Sequence, residues 1–276
     1  MSVRLDGLLW EQEAAGSNPA SPTNSMTHKI LLIGDSCVDE YYVGHCDRLS
    51  PEAPVPVIKI VNRYNTPGMA ANVQSNFNRL GCQITFITNP ELIIKARYID
   101  ERSGQHLLRV DHEPQLMPWN SAISEPLNSF DALVVSDYDK GFISYQDIED
   151  LIQGVQCPVF IDTKKKDLAK FEGAFVKINS LERAAASSLC SNLIVTQGNK
   201  GALYQNVVYP TVPVEVTDVC GAGDTFLASL VYEYLNTRSI EQAIRFANIA
   251  SAITVTKNGV YAPSLDEIKR IIHEQN

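Results

Sequence analysis

Short apolar runs recur along the chain from Lys29 onward, each closed by a small, polar or acidic residue. They are Ile30-Leu31-Leu32-Ile33 before Gly34-Asp35, Gln83 to Thr88, Ala132 to Ser136, Val159 to Asp162, Ala174 to Asn179 and Leu193 to Thr196. Runs of this length and composition predict strands buried on both faces, as in parallel sheets. Between and after them the spacing turns helical. Pro67 to Gly81 reads as a glycine turn, a helix and a glycine C-cap, and further helices are predicted around 146–153, from Thr225, over 240–255 and over 264–273. The alternation predicts a parallel sheet covered on both faces. Two stretches break it. Val55-Pro-Val-Ile-Lys-Ile-Val61 alternates and carries prolines, as an exposed or edge strand does, and Lys95 to Asp111 reads as a hairpin turning near Ser103-Gly104. They predict a separate small β-sheet, with strands from about 44–64 and 95–112, serving as a lid or a dimerisation surface.

Residues 1–27 lack periodicity, and Trp10 to Met26 is rich in Gly, Ser, Asn, Pro and Thr. The expectation is a leader outside the fold, with Met26 as an alternative start and one domain over 28–276. The 276 residues include 45 % hydrophobic and 20 % charged positions, an ordinary globular balance with room for a sizeable core. The net charge of −9 argues against a nucleic-acid surface, and any phosphate-bearing ligand then needs a local basic pocket. No apolar run reaches the length of a membrane span. Six scattered cysteines without a Cys-x-x-Cys pair read as reduced thiols of a cytoplasmic protein.

The candidate chemistry lies in Asp218-Val-Cys-Gly-Ala-Gly-Asp224-Thr-Phe. Gly221 and Gly223 permit a bend that side chains would obstruct, and the apolar residues from Thr225 start a helix. The free N–H groups at such a start make an anion site, and Asp224 beside it suits a general base taking a proton from a hydroxyl as phosphate arrives. A capped helix after a Gly-rich loop is the plainer account of the same residues.

The whole string Asp-x-x-Gly-Ala-Gly-Asp-x-Phe resembles the signature of the ribokinase-like (PfkB) carbohydrate kinases. The resemblance implies a three-layer α/β/α fold with a mostly parallel central sheet and a small β-sheet lid. It makes Asp224 the catalytic base and gives Gly221, Ala222 and Gly223 the anion hole. Gly34-Asp-Ser-Cys-Val-Asp39, Arg48-Leu-Ser-Pro-Glu-Ala-Pro-Val-Pro-Val57 and Pro67-Gly-Met-Ala-Ala-Asn72 are similar to the D-glycero-β-D-manno-heptose-7-phosphate kinase branch, the kinase half of the bifunctional enzyme of ADP-heptose synthesis. Lys95-x-Arg97, Arg109-x-Asp111-x-Glu113, Ser136-Asp-Tyr-x-Lys140-Gly141 and Asp162-x-Lys164 match that branch in order. By resemblance Asp35, Asp39, Gly68 and Asn72 meet sugar hydroxyls. Asn179-x-x-Glu182 organises Mg²⁺ through water near the phosphates of ATP, although the tetrapeptide alone equally fits a helix start. Thr196, Gly198, Gly201 and Asn248 border the nucleotide, and a monovalent cation is an optional addition. Lys95, Arg97 and Arg109 form a cationic hairpin face that either holds the substrate's own phosphate or is a solvated charged face. A homodimer through the lid strands is the implied assembly.

Departures qualify the resemblance: Cys220 replaces a common Thr, and two others weigh more. Met69 stands where the pattern has a second glycine, and between Thr88 and Lys95 only Asn-Pro-Glu-Leu-Ile-Ile remains where relatives insert at least a helix and a strand. They leave open a catalytically weak homologue that binds a sugar phosphate or a partner. A dinucleotide-binding oxidoreductase is excluded, since no Gly-x-Gly-x-x-Gly follows the first strand.

Overall fold

The structure, a computed structural model, describes residues 27–120 and 123–274, so the expected leader lies outside the described residues. In chain order the strands and helices begin with β1 (Lys29–Gly34), β2 (Ser36–Leu49), β3 (Pro56–Met69), α1 (Ala70–Arg79), β4 (Gln83–Thr88), β5 (Ile94–Asp100) and β6 (His106–His112). Then come β7 (Ala132–Asp137), α2 (Tyr145–Gly154), β8 (Val159–Thr163), β9 (Phe175–Asn179), α3 (Ser180–Ala185) and β10 (Leu193–Thr196). The chain closes with β11 (Ala202–Tyr204), β12 (Val207–Tyr209), α4 (Ala222–Thr237), α5 (Ile240–Val255) and α6 (Leu265–Glu274).

Eight strands form the central sheet in the order β12-β11-β10-β9-β8-β7-β1-β4, parallel from β10 to β4, with β11 and β12 added antiparallel at one edge. Two apolar clusters cover its faces. One joins Ile30, Leu32 and Val134 to α1, α4 and α5. The other joins Leu31, Ile33, Leu133 and Val135 to α2 and the segments around Phe142 and Phe171. Adjacent residues of β1 thus feed opposite layers, which is why its sequence is continuously apolar.

The second sheet has the order β3-β2-β5-β6, with β2 and β5 parallel and the outer pairs antiparallel. Its first strands reach further than the sequence pattern indicated, from Ser36 and as far as Met69, because Asp35 alone separates β1 from β2. The small sheet therefore grows directly from the carboxyl end of β1, where ligands of open α/β sheets bind. The shortened segment, residues 89–93, joins β4 to β5 as a fastened link. Asn89 Oδ1 accepts the Ser36 amide at 2.7 Å, and the Ile93 carbonyl accepts the Val38 amide at 2.9 Å. β4 remains the edge of the central sheet, paired to β1 alone. Among the described residues no helix is long and apolar enough to cross a membrane.

Candidate active site

The turn before α4 takes the form its glycines allow. Gly221 sits at the N-cap with φ 76°, a left-handed conformation that L side chains rarely adopt. A Cβ there would stand 2.8 Å from Asn72 Nδ2, and one on Gly223 would stand 2.9 Å from Lys177 Nζ. Each glycine thus leaves room for a nitrogen donor at the helix start. The Gly221 and Gly223 amides have no internal partner among the described residues, whereas the Ala222 amide makes a long bond of 3.3 Å to the Val219 carbonyl. Two of the three expected anion-hole donors are therefore open.

Asp224 lies in the first turn of α4, 5 % exposed. Asn72 Nδ2 donates to its Oδ2 at 2.7 Å and the Tyr138 hydroxyl donates to its Oδ1 at 2.9 Å. Asn76 Nδ2 donates to Asn72 Oδ1 at 3.3 Å, which fixes the amide so that its nitrogen faces the carboxylate. Burial pushes the Asp224 pKa up to about 6; the Asn72 bond opposes the shift, Asp162 adds to it, and Lys177 and Tyr138 oppose it. Lys177 is buried and paired with Asp162 at 2.7 Å.

Two cavities meet at this carboxylate's helix. One, of about 430 Å³, is mainly apolar and lined by Thr196, Gly198, Gly201, Val214, Phe226 and Asn248, among others. The other, of about 530 Å³, is more polar than the first and includes Tyr138, Lys164, Lys177, Asn179, Gly223 and Asp224. Asn248 shapes the first by donating to the Tyr209 carbonyl at 2.8 Å, holding α5 against the exit of β12. Asn179 and Glu182 form a reciprocal capping box at the start of α3, Asn179 Oδ1 accepting the Glu182 amide at 2.9 Å and Glu182 Oε2 accepting the Asn179 amide at 2.7 Å. Glu182 Oε1 also pairs with Lys164. No cluster of three or more His, Cys, Asp or Glu suited to a metal occurs among the described residues. The donor set fits a cation carried in on phosphates and met through water, not a cage built by the protein.

On the lid side, Asp39 is paired with Arg97 Nη1 at 2.5 Å, and both are buried. Gly68 is needed beside them, since a Cβ there would lie 2.5 Å from Asp39 Oδ2. Lys95 stands with its ammonium 5.5 Å from the centre of the Tyr138 ring and has no acidic partner among the described residues. Arg109 does not join this group. It is more than half exposed and forms a forked pair with Asp111 on its own strand, both bonds at 2.8 Å. The cationic hairpin face is thus largely neutralised, Arg97 by Asp39 and Arg109 by Asp111.

Asp35 also departs from the expected role. It is fully buried, its Oδ2 accepts the backbone amides of Tyr138 at 2.7 Å and Lys140 at 3.4 Å, so it holds a loop, and its Oδ1 has no hydrogen-bond partner among the described residues. The single-residue joint between β1 and β2 turns it beneath the end of β7. Met69, at the place of the pattern's second glycine, is buried. Its side chain packs into the core with Ile33 and Ile93, and the departure falls on the backbone, with φ 58° and ψ −134° in a region suited to glycine. Tyr138, Lys177 and Asn76 were not singled out for roles by the sequence. Tyr138 and Lys177 sit on or beside strand ends facing the Gly-Ala-Gly-Asp turn, a placement that only the strand order supplies.

The pfkB family carbohydrate kinase profile matches residues 127–267, about half of the chain and the part that contains the Asp224 turn. The bifunctional protein HldE of Nitratiruptor sp. is 30 % identical over 300 residues, covering 88 % of this chain and 65 % of that protein. HldE of Sulfurimonas denitrificans is 32 % identical over 310 residues, covering 89 % and 64 %. The chain therefore spans about two thirds of the length of these relatives, and both matches run longer than this whole chain, so they include residues with no counterpart here. Among solved structures, Arabidopsis thaliana ribokinase complexed with ribose and ATP superposes with a TM-score of 0.67 at 15 % identity, covering 90 % of this chain and 99 % of that one. Escherichia coli phosphofructokinase-2 in complex with potassium gives 0.68 at 15 % identity with the same coverage. The likeness in fold, the family match across the Asp224 turn and the curated relatives agree: this chain belongs to the pfkB family of carbohydrate kinases.

Proposed function

We propose that the chain transfers the terminal phosphoryl group of ATP to the anomeric hydroxyl of a sugar phosphate, with heptose 7-phosphate as acceptor and the 1,7-bisphosphate as product. The observation that carries this reading is the buried Asp224, held by two donors at a helix start between the nucleotide-sized cavities and the small sheet. The apolar cavity suits an adenine and the polar one its phosphates, with Thr196 and Gly198 lining both.

In the reaction, the acceptor oxygen bonds to the terminal phosphorus as the bond from that phosphorus to the bridging oxygen breaks, and ADP leaves. Asp224 takes the hydroxyl proton. Each of its oxygens keeps an acceptor site beyond the bond from Asn72 or Tyr138. The Gly221 and Gly223 amides face the charge that develops on the transferred group, and Lys177 adds a positive charge below Gly223. Mg²⁺, when bound, supplies neutralisation of the phosphates, and Asn179 and Glu182 would hold its water shell. Asp39, Gly68, Arg97 and Lys95 bound the sugar side, and Lys95 is a cation there with no acidic partner among the described residues. A monovalent cation belongs to the same proposal by analogy with the potassium-bound phosphofructokinase-2. The free cysteines of the described residues suit a reducing compartment, and we place the protein in the cytoplasm.

A coupled ADP-release assay over sugars and sugar phosphates, heptose 7-phosphate included, tests the reading. Asp224→Asn should lower kcat by about a thousandfold or more. Near-normal turnover by that variant would remove Asp224 as the base. The weak-homologue reading drew on Met69 and on the shortened segment after Thr88; Met69 lies in the core, and the second motive stands until the assay is run.

A further inference from the structure

Both donors that hold Asp224 trace back to one buried residue. The Asp35 carbonyl accepts the amide of Ala70, which opens α1 two residues before Asn72, at 2.9 Å. Its carboxylate accepts the amide of Tyr138 at 2.7 Å, and its own amide donates to the Ser136 carbonyl at 3.1 Å. The loop beyond β7 is fastened again by Lys165, which pairs with Asp137 at 3.2 Å and with Asp139 at 2.8 Å while Asp139 adopts φ 56°. Tyr138 leaves this pinned loop with its hydroxyl on Asp224 Oδ1 and the ammonium groups of Lys95 and Lys164 at 5.5 and 5.2 Å from its ring centre.

We propose that Asp35 and Tyr138 are positioning residues for the base: Asp35 sets the backbone from which the Tyr138 hydroxyl, and through α1 the Asn72 amide, fix the Asp224 carboxylate. The inference rests on Asp224 being the base. A phenol suits the task because it offers a donor that does not titrate in the working range. Burial and the neighbouring Asp224 hold its pKa well above 10. It therefore always donates to the carboxylate and never competes for the substrate's proton. A bond donated to the ionised form also keeps the base available at lower pH than burial alone would allow. The other groups facing Asp224 are Cys37 on β2, Asn72 on α1, Asp162 on β8 and Lys177 on β9, and Tyr138→Phe leaves all of them in place.

The test uses the full chain, with Tyr138→Phe and the isosteric Asp35→Asn, and two readouts. The first is ADP formation from ATP, Mg²⁺ and whichever sugar of the panel the wild type turns over. Tyr138→Phe should lower kcat about tenfold to a hundredfold with both KM values within about twofold, and should move the acidic limb of kcat upward by about one pH unit. Asp35→Asn should lower kcat with the sugar KM unchanged. The second readout is the ¹³C-carboxylate titration of Asp224, assigned by its loss in Asp224→Asn, which should move upward in Tyr138→Phe. An unmoved titration, or an Asp35→Asn variant with raised sugar KM and intact kcat, would overturn the proposal; the latter is the result for a sugar ligand. If the wild type phosphorylates no sugar yet the Asp224 titration moves in Tyr138→Phe, the positioning stands and the kinase reading falls. The thermal melt controls for folding, and Asp35→Asn, which changes only the side-chain bonds to the Tyr138 loop, tests that arm should Tyr138→Phe fail to fold.

Discussion

A carboxylate whose pKa is raised by burial works against the folded state at neutral pH. Asp224 binds its proton up to about pH 6 when folded, against 3.8 for the free side chain. Between those values the folded chain holds a proton that the unfolded chain has released, so this residue's contribution to stability falls as pH rises through the window. Asp35, also raised to about 6 by burial and by Asp137, acts with the same sign. Asp224→Asn should therefore melt higher than the wild type at pH 7.5, by something on the order of 1 kcal/mol, with the gap closing near pH 4. Thermal melts of both proteins at the two pH values check it, and a gap that widened in acid would contradict the assignment. In the wild type, kcat should fall tenfold per pH unit below about pH 6, as the base is protonated.

At the scale of elements, the site is made where strand ends meet one helix start. β9 brings Lys177 beneath the Gly223 turn, and β8 brings Asp162 to pair with it. Neither charge stands in water, so each depends on the other. Lys177→Met fills a similar volume but leaves Asp162 and Asp224 without their cation. It should destabilise the fold by about 3 kcal/mol in denaturant titrations and raise the Asp224 pKa. A loss well below 1 kcal/mol would mean that water already reaches the pair. The family resemblance gave Asn179 and Glu182 to the metal, and the structure holds the same side chains in a capping box, with Glu182 also paired to Lys164. Both fit because a box satisfies one acceptor site on each and leaves others for water.

Over the whole molecule, the small sheet leaves apolar side chains in water, among them Leu49 and Val61 on its first two strands and Leu108 and Val110 on β6. A homodimer through these strands is the proposed assembly. Sedimentation should give twice the chain mass, and Val61→Asp with Leu108→Asp should return it to the monomer. A wild type that sediments as a monomer at assay concentration would end that proposal. The link at 89–93 ties this sheet to β4 and β2 at once, so the sheet meets the core through short connections at both β1–β2 and β4–β5.

The order of apolar runs determined the alternating strands and helices, because a buried parallel strand tolerates little else, and the unbroken motif around Asp224 determined the family. The residue types there also suggested a base beside an anion site, the role proposed for Asp224. What the linear order could not hold was which side chains meet. Asp35 and Asp39 look alike in sequence, yet one is sealed under a loop and the other faces the small sheet, since a single residue joins β1 to β2. Tyr138 and Lys177 lie far along the chain from Asp224, and the strand order alone brings them to it. Local propensity acts over a few residues, whereas the field that tunes a carboxylate comes from groups that only packing makes neighbours.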